Sequence, residues 1–128
     1  MARGNKCSNL RILLAEGKII NQKVLQLMLK HMGYPKADVA TNGREVLQTV
    51  EHHNYGLVFM DINIPELDGL EATKAIRKRC PREKHPKIIA LTAYAISFSR
   101  KACIEAGMDD YLAKPVKVEE LNQPWMIA

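Results

Sequence analysis

The sequence predicts a single α/β domain in which the strands form one parallel sheet and helices pack against it. Two observations carry that expectation. Five short apolar segments alternate with helix-patterned stretches along the 128 residues, which is how chains of βαβ units read. The central segment, 57–60 (Leu-Val-Phe-Met), is apolar without a break. It is too short for a helix and too continuous for a half-exposed strand, so it reads as a strand buried on both faces. That strand delivers Asp61 to its carboxyl end. Ligands of open parallel sheets collect outside those ends, which makes Asp61 the first candidate for chemistry.

The elements follow in order. Residues 1–9 are polar and basic and read as a flexible N-terminal segment, leaving 10–128 as the folded domain. A first strand over 10–15 (Leu-Arg-Ile-Leu-Leu-Ala) gives way to Glu16-Gly17-Lys18. Ile20, Val24, Leu27, Met28 and His31 then recur at helical spacing, the stripe of an amphipathic helix that Gly33 ends. Residues 37–40 form a short second strand. Asn42-Gly43-Arg44-Glu45 places a capping residue three positions before a glutamate, and starts a second helix bearing Val46, Leu47 and Val50.

After the central strand and the Asp68-Gly69 turn, Leu70, Ala72, Thr73 and Ile76 mark a third helix that runs into a basic stretch and Pro81. Residues 87–91 (Lys-Ile-Ile-Ala-Leu) are a β-branched fourth strand ending at Thr92. Ser97 and Ser99 offer caps for a fourth helix over Ala102, Cys103 and Ala106, and Gly107 stops it. Residues 110–113 form the fifth strand, which delivers Lys114-Pro115. Glu119-Glu120-Leu121 begins a last helix that Pro124 cuts short.

Composition excludes several classes. With 47% hydrophobic and 26% charged residues the chain is ordinary folded material, and no apolar run approaches the ~20 residues needed to cross a bilayer. Cys7, Cys80 and Cys103 are odd in number and lack C-x-x-C spacing, so neither a disulfide framework nor a zinc site is expected, and a reducing cytoplasm fits best. Much of the net charge of +5 lies in Lys74, Arg77, Lys78, Arg79, Arg82, Lys84 and Lys87, a solvated helix end and loop with no nucleic-acid partner expected.

The carboxyl edge of the sheet gathers Glu16, Asp61, Thr92 and Lys114 from four strand ends. Any one of these polar residues could simply leave its strand. Together they supply a nucleophilic carboxylate, a hydroxyl and an ammonium, the set needed to accept a phosphoryl group.

With those residues in place, the chain resembles the response-regulator receiver domains of two-component signalling. The likeness rests on Met60-Asp61 with Ile64-Pro65 and Asp68-Gly69, on Ala90-Leu91-Thr92-Ala93, and on the run from Ala106-Gly107-Met108-Asp109-Asp110-Tyr111 through Lys114-Pro115. Asn21-Gln22 and the Ala-Gly-Met-Asp-Asp-Tyr phrase are most similar to receivers attached to hybrid histidine kinases. The resemblance implies a flavodoxin-like (βα)5 three-layer sandwich with sheet order 2-1-3-4-5. It implies that Asp61 takes a phosphoryl group from a phosphohistidine on a histidine kinase or histidine phosphotransfer domain. Thr92 and Lys114 would hold phosphoryl oxygens, Thr92 and Tyr111 would form the switch that remodels an interaction surface, and Lys114-Pro115 would be a cis peptide. Asn63 and Tyr94 occupy positions that tune phosphoryl lifetime in this family.

Gly17 departs from the pattern. Receivers place two acids after the first strand, the second of them a direct Mg²⁺ ligand, and here the pair reads Glu16-Gly17. Mg²⁺ held by Asp61, the Asn63 backbone carbonyl and Glu16 through water is therefore expected to bind weakly. Lys18 either imitates part of that cation or points to solvent. The shortened last helix is a second departure, and it leaves the oligomeric state open. The alternative to a phosphorelay receiver is a pseudo-receiver, the same fold kept as an interaction module with impaired metal binding and no phosphorylation. An aspartate-nucleophile phosphatase would carry a second acid two residues after Asp61, and Asn63 stands there instead.

Overall fold

The computed structural model describes residues 11–62, 68–82, 85–92, 97–114 and 116–121, with the backbone alone over 97–100. Five strands, β1 (Ile12–Ala15), β2 (Asp38–Ala40), β3 (Leu57–Asp61), β4 (Lys87–Thr92) and β5 (Asp110–Ala113), alternate with four helices. The helices are α1 (Ile19–His31), α2 (Gly43–His52), α3 (Gly69–Arg79) and α4 (Ser97–Ala106). The sheet is parallel throughout, in the order β2-β1-β3-β4-β5. This is the expected flavodoxin-like arrangement, and every strand ends at the same edge.

Strand alternation divides the core in two. Leu13, Ala15, Val58, Met60, Ile88 and Ala90 face α2, α3 and α4, where Val46, Leu47, Val50, Ala72, Ile76 and Cys103 close over them. On the other side Ile12, Leu14, Leu57, Phe59, Ile89 and Leu91 meet Leu25 and Leu29 of α1, with Leu112, Val116 and Leu121 beside them. β3 is buried along its whole length, as its unbroken apolar run requires.

The caps agree with the sequence. The Asn42 side chain accepts from Glu45 N at 2.8 Å at the start of α2, while Glu45 reaches back to the backbone N–H and hydroxyl of Thr41, one residue earlier than in the standard reciprocal box. Asp68 caps α3 by accepting from Glu71 N at 2.9 Å. Gly107 ends α4 at φ +105°, a conformation that glycine adopts without strain. α4 begins at Ser97, so Ser99 lies within the helix rather than capping it.

One helix is rotated relative to expectation. The stripe Ile20, Val24, Leu27 and His31 does not enter the core: Ile20 is 75% exposed, Leu27 66% and Val24 44%. Only Met28, at its flank, is partly buried against the core. The buried face is the opposite one, Gln22, Leu25 and Leu29. Both sides of α1 are apolar at helical spacing, so periodicity fits either. Burial of Gln22 decides between them, because its amide donates to the Glu16 carbonyl at 2.6 Å and ties the helix to the end of β1.

After β5 the chain forms a short 3-10 helix, Val118–Leu121, in place of the start of an α-helix. The flexible segment expected over 1–9, the Pro124 break, Asn63, Tyr94 and the Lys114-Pro115 peptide involve positions outside the described residues.

Candidate functional site

Burying a carboxylate is costly unless it is paired, and the carboxyl edge buries two. Glu16 stands one residue beyond β1 and is 1% exposed; Asp61 closes β3 at 6%. Lys114, just past β5, answers both: its Nζ donates to Asp61 Oδ2 at 2.7 Å and to Glu16 Oε1 at 3.0 Å. Two carboxylates and one ammonium leave this cluster with a formal charge of −1. Burial disfavours the Lys114 charge, but hydrogen bonds and Coulombic attraction from Asp61 and Glu16 outweigh it and hold the ammonium above its ordinary range.

Backbone geometry fixes each member. Glu16 N extends the β1 ladder to Ala40 O at 3.0 Å, and the second carboxylate oxygen of Glu16 accepts from Lys18 N at 3.2 Å and Asn21 Nδ2 at 3.4 Å. Asp61 pairs with Leu91 in the β3–β4 register. Lys114 N donates to Thr92 O at 2.8 Å, so the ends of β4 and β5 are clasped where the lysine leaves the sheet.

Gly69 presses α3 against the same edge. A Cβ there would stand 2.5 Å from Asp61 O and 2.9 Å from Ile62 Cα, and Gly69 N donates to Ile62 O at 2.9 Å. The Asp68-Gly69 pair is thus a helix cap followed by a close approach, which a simple turn signal does not convey.

The proposed site residues fall into two groups. Lys114 touches both Glu16 and Asp61. Thr92 is buried at the same edge, one residue beyond the Asp61 partner Leu91, and by alternation it belongs with Ile88 and Ala90 on the opposite face of the sheet. Tyr111 lies on that face too: it pairs with Ala90 and packs, partly buried, against the core under α2, α3 and α4. Thr92 and Tyr111 thus share one face of the adjoining β4 and β5 ends, and Thr92 stands at the edge one register step beyond Asp61. The Lys18 side chain is exposed and makes no ion pair among the described residues. Asn21 and Gln22, singled out in the sequence by their likeness to hybrid-kinase receivers, hold Glu16 in place, which that likeness alone does not convey.

No group of three or more His, Cys, Asp or Glu able to hold a metal occurs among the described residues. Among the described residues, the carboxylates at this edge are those of Asp61 and of a Glu16 whose two oxygens are already engaged, and Gly17 contributes no side-chain oxygen.

Comparison with known proteins agrees with this fold. The family model of the response regulator receiver domain matches residues 12–124. Hybrid signal transduction histidine kinase K of Dictyostelium discoideum is 40% identical over 118 residues, covering 88% of this chain and 10% of the relative. The osmosensing histidine protein kinase SLN1 of Saccharomyces cerevisiae is 35% identical over 120 residues, covering 90% of this chain and 10% of the relative. This chain therefore spans about a tenth of the length of these curated relatives.

Among solved structures, the receiver domain of the Pseudomonas aeruginosa sensor histidine kinase PA1611, with a magnesium ion coordinated in its active site cleft, has a TM-score of 0.83 at 38% identity. The match covers 94% of this chain and all of that one. The Saccharomyces cerevisiae Ssk1 receiver domain, solved with the histidine phosphotransfer protein Ypd1, has a TM-score of 0.80 at 29% identity over 89% of this chain and 84% of that one. On the family match, the identities and the shared fold, the chain belongs to the response regulator receiver domain family.

Proposed function

We propose that this domain, over residues 10–128, is a phosphorelay receiver in which Asp61 accepts a phosphoryl group from a phosphohistidine and thereby switches a protein-interaction surface. The observation that carries the reading is the Lys114 ammonium bridging Asp61 and Glu16 at the carboxyl edge. The Asp61 carboxylate attacks phosphorus, the P–N bond to the donor imidazole breaks, and the imidazole leaves with the electron pair. Lys114 then pairs with a phosphoryl oxygen in place of the lost carboxylate charge, and the Thr92 hydroxyl donates to another. Because Thr92 and Tyr111 share a sheet face, movement of Thr92 is passed to Tyr111 and to the surface near β5.

Asp61 and Glu16 would hold a Mg²⁺ weakly, with the Asn63 carbonyl, outside the described residues, as the third expected contributor. When bound, Mg²⁺ neutralises charge on the phosphoryl oxygens.

The partner is a histidine kinase or histidine phosphotransfer domain. The apolar stripe of Ile20, Val24 and Leu27 on α1, next to the Glu16 loop, gives such a partner a face to cover. No helix among the described residues is long and apolar enough to cross a membrane. We place the domain in the cytoplasm, where its unspaced cysteines and the buried Cys103 thiol stay reduced. It has no turnover of its own beyond gaining and slowly losing one phosphoryl group. The paired Asp61 and the kinase relatives speak against the pseudo-receiver alternative.

Incubation with a small acyl phosphate, with and without Mg²⁺, followed by intact mass measurement, should show one phosphoryl adduct that disappears in Asp61→Asn. Absence of an adduct at every Mg²⁺ concentration would overturn the reading.

A further inference from the structure

Residues 74–87 hold seven of the nineteen Lys and Arg residues and one of the fourteen Asp and Glu, a net charge of +6. Since the whole chain carries +5, everything else sums to −1, and the basic character is local. The segment runs from the second half of α3 to the first residue of β4, at the amino edge of the sheet and away from Asp61.

A helix C-terminus attracts cations, which accounts for Arg77, Lys78 and Arg79 in the last turn of α3. It does not account for Arg82 and Lys87, which lie beyond the helix. Both are exposed, and neither side chain has a hydrogen-bond or ion-pair partner among the described residues. They line a surface pocket of about 350 Å³ together with Arg77, His85 and Asp109.

Arg77 is a fixed wall of that pocket. Its Nε donates to Gly107 O at 2.8 Å, Nη1 to Pro86 O at 2.8 Å and Nη2 to Asp109 Oδ2 at 2.9 Å. Those bonds use three of the five guanidinium N–H groups. The same Asp109 oxygen also accepts from Ile88 N at 2.8 Å, so the acid in the pocket wall is already satisfied and does little to cancel Arg82 and Lys87. His85 Nε2 donates to the Cys80 carbonyl at 2.9 Å and holds the turn in shape.

We infer that this amino-edge pocket docks a carboxylate-rich polypeptide segment of a partner protein, whose acidic side chains pair with Arg82, Lys87 and the remaining Arg77 N–H groups. Charge complementarity sets the sign of the occupant. Nucleic acid is disfavoured because residues 74–87 contain no Phe, Tyr or Trp on which bases could stack. The surface is separate from the phosphoacceptor edge and does not depend on phosphotransfer.

The test is fluorescence anisotropy with a labelled octaglutamate peptide and the full chain, at low and at near-physiological salt. Binding should weaken with salt and fall about tenfold in Arg82→Glu/Lys87→Glu, the order expected for losing and reversing two exposed ion pairs. A control with the same charge change on exposed α1 lysines, Lys23→Glu/Lys30→Glu, should stay within about twofold of the parent. Thermal melts confirm that both variants fold, and Arg82→Ala/Lys87→Ala gives a milder loss in the same direction. Equal losses in the two charge-reversed proteins, no peptide binding at low salt, or tighter binding of a single-stranded oligonucleotide of equal charge would overturn the inference.

Discussion

Replacing Gly17 with aspartate should turn a poor magnesium site into an ordinary one. The charged cluster now carries a formal −1, because the Lys114 ammonium offsets one of the two buried carboxylates. Gly17→Asp brings it to −2 and adds an oxygen donor beside Glu16, at the end of β1. The backbone can accept the change: the positive-φ glycines are Gly33 and Gly107, so an aspartate at 17 meets no left-handed conformation. Loss of support around a metal commonly costs ~10- to 100-fold in affinity, and restoring a direct carboxylate ligand should recover at least that much, ~1.4–2.8 kcal/mol. Isothermal titration of Mg²⁺ into the parent and into Gly17→Asp reads the difference directly, with Asp61→Asn showing that the heat comes from this edge. Sub-millimolar affinity in the parent, or binding by the variant no tighter than the parent's, would refute a metal site weakened at position 17.

Two further outcomes test the electrostatics and the packing. Lys114→Ala strands two buried carboxylates without a cation and should cost about 3 kcal/mol in urea unfolding at neutral pH, as well as abolishing the phosphoryl adduct. Because the Lys114 pKa is raised in the folded protein, its stabilising contribution is complete below the ordinary lysine value of 10.5 and is lost as pH climbs through the higher folded value. The variant should therefore lack that part of the alkaline loss seen in the parent. Leu25→Ala, on the buried face of α1, should cost about 2–5 kcal/mol, whereas Ile20→Ala on the exposed face should change stability by about 0.5 kcal/mol or less. Reversal of that order would restore the helix orientation that periodicity suggested.

Much of the fold was legible because local pattern and tertiary demand agree. The unbroken apolar run of β3 could only be a central strand, and Asp61 at its end could only face the carboxyl edge. Asn42 and Glu45 announced the start of α2, and the cap is made by the residues named, with a one-residue shift in the return bond. α1 is ambiguous in the sequence because Ile20, Val24 and Leu27 satisfy the helical period as well as Leu25 and Leu29 do. Only a long-range fact, the Gln22 amide reaching Glu16 O, selects the face.

The site was legible as a set of residue types but not as a set of bonds. Strand ends at 16, 61 and 114 could be placed on one edge, but nothing local says that Lys114 divides itself between two carboxylates, one of them 98 residues away. The same holds for Arg77, which reads as a helix-end cation and proves to tie α3 to Gly107, Pro86 and Asp109.

Holding Lys114 at two points has a mechanical consequence. If phosphorylation of Asp61 removes one of its anchors, the lysine keeps the other, Glu16. Its ammonium would then stay beside the acyl phosphate for as long as that group survives. Glu16 would in this way set how promptly the domain recovers its resting arrangement once the group departs.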